Sequence, residues 1–175
     1  MPLFSKTIAS PIGTLTLVAD DVALAAVLWP DDRPGRVPLG PALGAPDHPV
    51  LLETEHQLGE YFAGSLTAFT VPLAPRGTDF QRGVWAALLT IPYGQTRSYA
   101  DIARAIGRPT ATRAVGAANG RNPLSIVAPC HRVIGSGGAL TGFAGGLAAK
   151  RRLLDLERGA QRVPSIPGPA SAVGR

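Results

Sequence analysis

The 175-residue chain has a single cysteine, a single methionine, and aromatic residues at only 6%. One cysteine cannot close an internal disulfide or furnish a multi-thiolate zinc site, so Cys130 is a core filler, a surface residue or a reactive thiol. Long apolar runs are also missing. The longest, residues 22–29, has eight residues, far short of the roughly 20 that a membrane-spanning helix needs. The opening residues hold Pro2, one lysine and a Ser10-Pro11-Ile12-Gly13 turn rather than the continuous apolar stretch of a secretory signal, so a cytoplasmic location is expected. With 45% apolar and 17% charged residues, the chain is not disordered throughout and fits one or two small globular domains.

Acidic residues are scarce in the second half. Residues 1–79 hold four Lys/Arg against nine Asp/Glu, a net of −5, whereas residues 80–175 hold thirteen against three, a net of +10. A basic block of this kind is the footprint of a polyanion partner, because lysine and arginine release counterions from phosphates. A generally arginine-rich composition is the plainer explanation, but it leaves the acidic first half unexplained.

Residues 3–9, 14–19 and 22–29 read as three strands joined by tight turns, an antiparallel meander. The five prolines and three glycines of residues 30–46 predict a loop and no element. Residues 48–63 have helical spacing at Leu51, Leu52, Leu58, Tyr61 and Phe62, closed by Gly64, and residues 68–73 read as a further strand. Thr78 caps a helix over residues 79–89 with Phe80, Val84 and Leu88 on its core stripe. After Ile91-Pro92-Tyr93-Gly94, Ser98 caps residues 99–106, the Gly107-Arg108-Pro109 turn follows, and Thr110 caps a helix through residue 118. Two short helices with such a turn match a helix-turn-helix. The second helix carries Arg113 and otherwise small side chains, so it is poorly equipped to read base edges in the major groove. Its small residues either let the helix lie close to nucleic acid, with one cation entering the stack, or permit close helix packing. The expected architecture is a two-domain α+β protein. A small N-terminal α/β domain with an antiparallel sheet (1–77) precedes a mainly helical domain with the helix-turn-helix (78–159) and a disordered tail (160–175).

Residues 129–134, Pro129-Cys130-His131-Arg132-Val133-Ile134, look buried and extended yet carry three polar side chains in a row. Unpaired burial of an ionisable group is costly, so His131 and Arg132 require partners, and the thiolate is the reactive form of Cys130. Adjacent residues of an extended chain point apart, so His131 reaches Cys130 only through a bend, with which Pro129 is consistent, or a bridging water. Read alone, a free cysteine is more often an inert apolar filler, and the adjacent His131 and Arg132 bring the reactive reading level with it. Downstream, a glycine-rich loop surrounds Phe143, and a helix over residues 147–158 sets Leu147, Lys150, Leu154 and Glu157 on one face. Glu157 then points inward and needs a partner, for which His131 is available; the alternative is a surface pairing with Arg158 or Lys150.

Pro129-Cys130-His131-Arg132-Val133 resembles the active-site motif of the O6-alkylguanine-DNA alkyltransferase family. The upstream Pro92-Tyr93-Gly94-Gln95-Thr96-Arg97-Ser98-Tyr99, Arg113-Ala114-Val115-Gly116 and Asn122-Pro123, and the downstream Gly145-Gly146-Leu147 with Glu157, fit the same pattern over about residues 78–158. The first half resembles the family's N-terminal domain more weakly, through Ser10-Pro11-Ile12-Gly13 and Tyr61-Phe62-Ala63-Gly64. The resemblance implies a single-turnover repair protein that moves the alkyl group of O6-alkylguanine in double-stranded DNA onto Cys130, with O4-alkylthymine a candidate second substrate and no cofactor. It further implies that Glu157 orients His131, which deprotonates Cys130 through a water, and that Asn122 braces the turn before the reactive segment. Tyr99 would hydrogen-bond a guanine ring nitrogen and help rotate the nucleotide, which must leave the duplex for its alkyl carbon to be reached, and Arg113 would fill the vacated stack. The carbonyls of Cys130 and Val133 would accept from the guanine amine, the Ala144 amide would face its oxygen, and Phe143 and Lys150 complete the expected substrate and DNA set. Where the family commonly has tyrosine and serine, this chain has Phe143 and Ala144, which bears on substrate range. Some members bind zinc through N-terminal cysteines and histidines; this N-terminal half has no cysteine, so no metal is expected. A monomer is expected, with cooperative assembly along DNA left open. Two other classes compete: a cysteine hydrolase using Cys130, His131 and Glu157, and a non-catalytic DNA-binding module.

Overall fold

The computed structural model describes residues 1–162 and begins with strands β1 (Leu3–Ile8), β2 (Leu15–Ala19) and β3 (Leu24–Leu28), the expected antiparallel meander. Gly13 makes the first turn possible: its φ of +112° is one that a side chain rarely tolerates, and its N–H returns to Ser10 O at 3.1 Å. A fourth strand, β4 (Ala42–Gly44), lies inside the stretch expected to be loop and pairs in parallel with β1, giving the order β3-β2-β1-β4. All three of its residues are exposed on the sheet edge, so backbone pairing alone makes the strand and no hydrophobic alternation marks it. Residues 68–73, expected to be a strand, contribute only an isolated bridge from Leu73 to Leu24. Pro72 has no N–H for a ladder, and the Thr70 N–H is taken by the Gln57 side chain at 2.9 Å. Helix α1 (Pro49–Phe62), capped by the His48 ring, lays Leu51, Leu58 and Tyr61 on the sheet.

Helices α2 (Asp79–Leu88) and α3 (Tyr99–Ala105) both start on capping boxes, Thr78 with Gln81 and Ser98 with Asp101. Helix α4 (Thr112–Gly120) starts later than expected, on Ala111 and without a side-chain cap. The Ala111 N–H closes a turn onto Arg108 O at 2.9 Å, which holds Thr110 outside the helix. Val84, Trp85, Leu88, Ile102, Val115, Cys130 and Val133 form the core beneath this helix-turn-helix, and Trp85 Nε1 donates to Ala118 O at 2.8 Å.

Residues 130–132 are not extended. They form a single 3-10 turn (Cys130–Arg132), followed by β6 (Val133–Ile134), which pairs in parallel with β5 (Arg97–Ser98). Cys130 N–H reaches Ala128 O at 2.7 Å and Arg132 N–H reaches Pro129 O at 3.0 Å, and three residues per turn send the three polar side chains in three directions. Helix α5 (Leu147–Arg162) runs on past Gly159, which a helix tolerates at about 1 kcal/mol relative to alanine. Residues 163–175, most of the expected tail, lie outside the described residues. Leu147 is about half exposed, so the inward stripe of α5 starts at Lys150. One apolar cluster joins the two halves of the chain: Leu17, Leu24, Val27 and Leu58 from the first pack with Leu124, Ile126, Val127 and Leu153 from the second. No helix of the described residues is long and apolar enough to cross a membrane.

Candidate active site

Asn122 is wholly buried and knots the segment ahead of Cys130. Its Nδ2 donates to Ala128 O at 2.8 Å, and its Oδ1 accepts from Leu124 N–H at 3.0 Å. Inside the knot Ile126 sits at φ +73°, a strained conformation for a β-branched residue, and its buried side chain anchors it in the shared cluster. The first half of the chain braces the same segment. Val27 N–H donates to Pro123 O at 2.8 Å, Trp29 Nε1 to Ser125 Oγ at 3.0 Å, and Arg36 to Asn122 O at 2.9 Å and Gly120 O at 3.2 Å while paired with Asp32.

Cys130 is 3% exposed, and burial pushes its thiol up, against the pull of the Asn122 side chain and the positive charges of Arg36 and Lys150. Burial likewise pushes His131 below its usual range, against the pull of Glu157. His131 Nε2 lies 2.7 Å from Glu157 Oε2, while Nδ1 is buried and has no hydrogen-bond partner among the described residues. The Glu157 carboxylate also accepts from Arg132 Nε at 2.8 Å and Nη2 at 3.0 Å, from the Tyr61 hydroxyl at 2.6 Å and from Gly94 N–H at 3.4 Å. Burial alone would raise Glu157, but the hydrogen bonds and charges of His131 and Arg132 outweigh it and hold the carboxyl at about 2. An ionised carboxylate only accepts, so Nε2 carries the proton and the neutral ring offers its lone pair at Nδ1.

A cleft of about 700 Å³ is lined by Tyr99, Gly116, Phe143, Ala144, Arg36 and Arg121, and of these Tyr99 and Phe143 pack against the apolar cluster that holds Cys130. The Tyr99 hydroxyl hydrogen-bonds Thr141, and Phe143 stands edge-on to Trp29 with ring centres 5.5 Å apart. Gly145 lies so close to Trp29 that a Cβ there would meet three ring atoms at 2.7 Å. Lys150 is fully buried and donates to Val133 O at 2.7 Å and Thr141 O at 3.4 Å, tying α5 to the glycine-rich loop. Arg113 is exposed on α4.

Residues 79–159 match the domain described as 6-O-methylguanine DNA methyltransferase, DNA binding domain, and residues 3–75 match the ribonuclease-like domain of the same proteins. The chain belongs to the O6-methylguanine DNA methyltransferase family. It is 54% identical to the methylated-DNA–protein-cysteine methyltransferase of Mycobacterium tuberculosis over 155 residues, 87% of this chain and 91% of the relative. A Methanosarcina acetivorans protein of the same name is 49% identical over 148 residues, 85% of this chain and 94% of that one. The crystal structure of M. tuberculosis OGT in complex with DNA superposes with a TM-score of 0.83 at 50% identity, covering 90% of this chain and 94% of that chain. The methyltransferase fold expected from sequence, a sheet-bearing N-terminal part and a helical C-terminal part, is the fold observed.

His131 and Glu157 are in direct contact, Asn122 ties down the segment just ahead of Cys130, and Tyr99, Phe143 and Ala144 line the cleft. The sequence asks for a partner for Arg132 without naming it, and places Tyr61 only in the helical pattern and the family resemblance of the first half. Both side chains converge on Glu157. Arg36 carried no signal, being one arginine in a proline-rich stretch.

Proposed function

We propose that this family member is a single-use alkyl acceptor that repairs O6-alkylguanine in double-stranded DNA, acting as a monomer. The carrying observation is the His131 ring: one nitrogen is held by an ionised Glu157 and the other is buried, lone pair free, next in sequence to the only cysteine. Burial keeps thiol and imidazole both neutral at rest, so the proton of Cys130 moves to His131 through a bridging water once substrate occupies the cleft. The thiolate attacks the alkyl carbon; the S–C bond forms as the C–O bond breaks, and the guanine leaves with a proton. The thioether is stable, so each chain acts once.

A guanine in a duplex hides that carbon, and the cleft beside α4, lined by Tyr99 and Phe143, is large enough for a rotated base; Tyr99 exchanges its Thr141 bond for one to the base and Phe143 forms the wall. Arg113, exposed among small side chains, enters the gap left in the stack. Cys130→Ala and the natural chain are incubated with methylated duplex and digested for mass spectrometry. The expected result is one added methylene mass on the Cys130 peptide of the natural chain and none on the variant. An unmodified Cys130 peptide with alkylguanine intact overturns the reading. A hydrolase would turn over repeatedly and a passive binder would not react, so both give other outcomes.

A further inference from the structure

We propose that Tyr61, contributed by the N-terminal half, is a positioning residue for the reactive centre: by donating to the Glu157 oxygen that holds His131, its hydroxyl keeps the imidazole neutral and Nδ1 open to the proton of Cys130. The inference rests on the relay read above. Three donors meet on Glu157 Oε2, namely the Tyr61 hydroxyl at 2.6 Å, His131 Nε2 at 2.7 Å and Arg132 Nη2 at 3.0 Å. Each added donor draws off negative charge that an imidazolium would otherwise use, so the Tyr61 bond disfavours protonation of His131. Tyr61 is fully buried, and the rings of Phe62, Phe69 and Tyr93 fence it at centroid distances of 5.4, 5.5 and 6.3 Å, which holds the ring in place with its hydroxyl against Glu157. Burial and the neighbouring carboxylate push its own ionisation far above the usual range, so it is a donor at every working pH.

The ionisable groups around His131 are Glu157 and Lys150 on α5, Arg132 and Cys130 on the 3-10 turn, and Tyr93 behind Glu157. Arg132 and Lys150 act in the same direction as Tyr61, but neither can be removed without changing charge. Tyr61→Phe removes one hydroxyl at nearly constant shape. A phenol that merely needed an acceptor in the core would make the same contact, and only the titration of His131 separates the two roles.

The test uses the whole chain. NMR of isotope-labelled histidine follows His131 with pH in the natural protein and in Tyr61→Phe, and the rate of single-turnover transfer from methylated duplex is measured over the same range. In Tyr61→Phe the His131 midpoint rises by about one unit and the acid limb of the rate profile moves up with it. Ring-fluorinated tyrosine at position 61, a stronger donor, moves both downward, and this arm decides the matter if the phenylalanine variant does not fold. An unmoved His131 titration, or a rate lowered equally at every pH, overturns the proposal. The titration needs no substrate, so a natural chain that leaves alkylguanine untouched counts against the acceptor reading and leaves the role of Tyr61 to be judged by the titration.

Discussion

Glu157→Gln keeps the volume of the side chain but replaces an acceptor-only group with one that is half donor. The carboxylate accepts from His131, twice from Arg132, from Tyr61 and from Gly94, and it is fully buried. A glutamine amide turned into that set faces donors with a donor and leaves the Arg132 guanidinium buried without a counter-charge. Breaking one side of a buried ion pair costs about 3–5 kcal/mol. A carboxyl held at about 2 rather than 4.5 corresponds to roughly 3 kcal/mol of stability at neutral pH, the same order of loss. For a domain of this size such a loss lowers Tm by about 6–20 °C. The folded value lies below the ordinary one, so the stabilisation is fully present above pH 4.5 and is lost as pH falls toward 2; the gap between natural and variant proteins closes over that window. Thermal unfolding of both proteins from neutral to acid pH is the assay. A Tm difference under about 2 °C at neutral pH, or a gap that stays constant through the acid window, refutes the ion-pair account. The variant thiol should also react more slowly with a small alkylating reagent near neutral pH, because the imidazole has lost the anion that supports its protonation.

Arg113→Ala should slow repair of duplex on the order of tenfold while leaving reaction with the free alkylated base nearly unchanged, since unstacking a base costs a few kcal/mol and the free base pays none of it; equal losses on both substrates would remove Arg113 from the stack. Gly145→Ala pushes a methyl group into the Trp29 ring and should cost about 1–3 kcal/mol in a urea titration, with Phe143 displaced alongside; a change under about 0.5 kcal/mol would mean the loop yields freely. Arg36→Met strips the Asn122 and Gly120 carbonyls of their donor and Asp32 of its counter-charge, for a loss on the order of 3 kcal/mol and a higher thiol pKa by reagent titration. Unchanged stability there would show that other groups hold the loop.

What was legible in the sequence was whatever repeats locally. The meander, the Thr78 and Ser98 caps of α2 and α3 and the inward placement of Glu157 each follow from a period or a side chain within a few residues. β4 was not legible because its exposed residues obey no pattern and its partner β1 is far along the chain. The 3-10 turn at Cys130 was hidden by apolar neighbours that read equally well as strand, since its hydrogen bonds are backbone contacts set by Pro129 and the Asn122 knot. Tyr61 fits the helical spacing of residues 48–63, but nothing nearby announces that its hydroxyl meets a residue 96 positions away. Arg36 reaches Asn122 from 86 positions off, and distance of that kind leaves no trace in a single chain.

The backbone contact between Val27 and Pro123 makes the sheet a splint for the segment that carries the thiol. Chimaeras that join the front of one homologue to the back of another inherit that splint from different ancestors. A crossover near residue 77 parts Val27 from Pro123, Arg36 from Asn122 and Tyr61 from Glu157 at a stroke, so hybrids should retain reactivity only when these three pairings are transferred together.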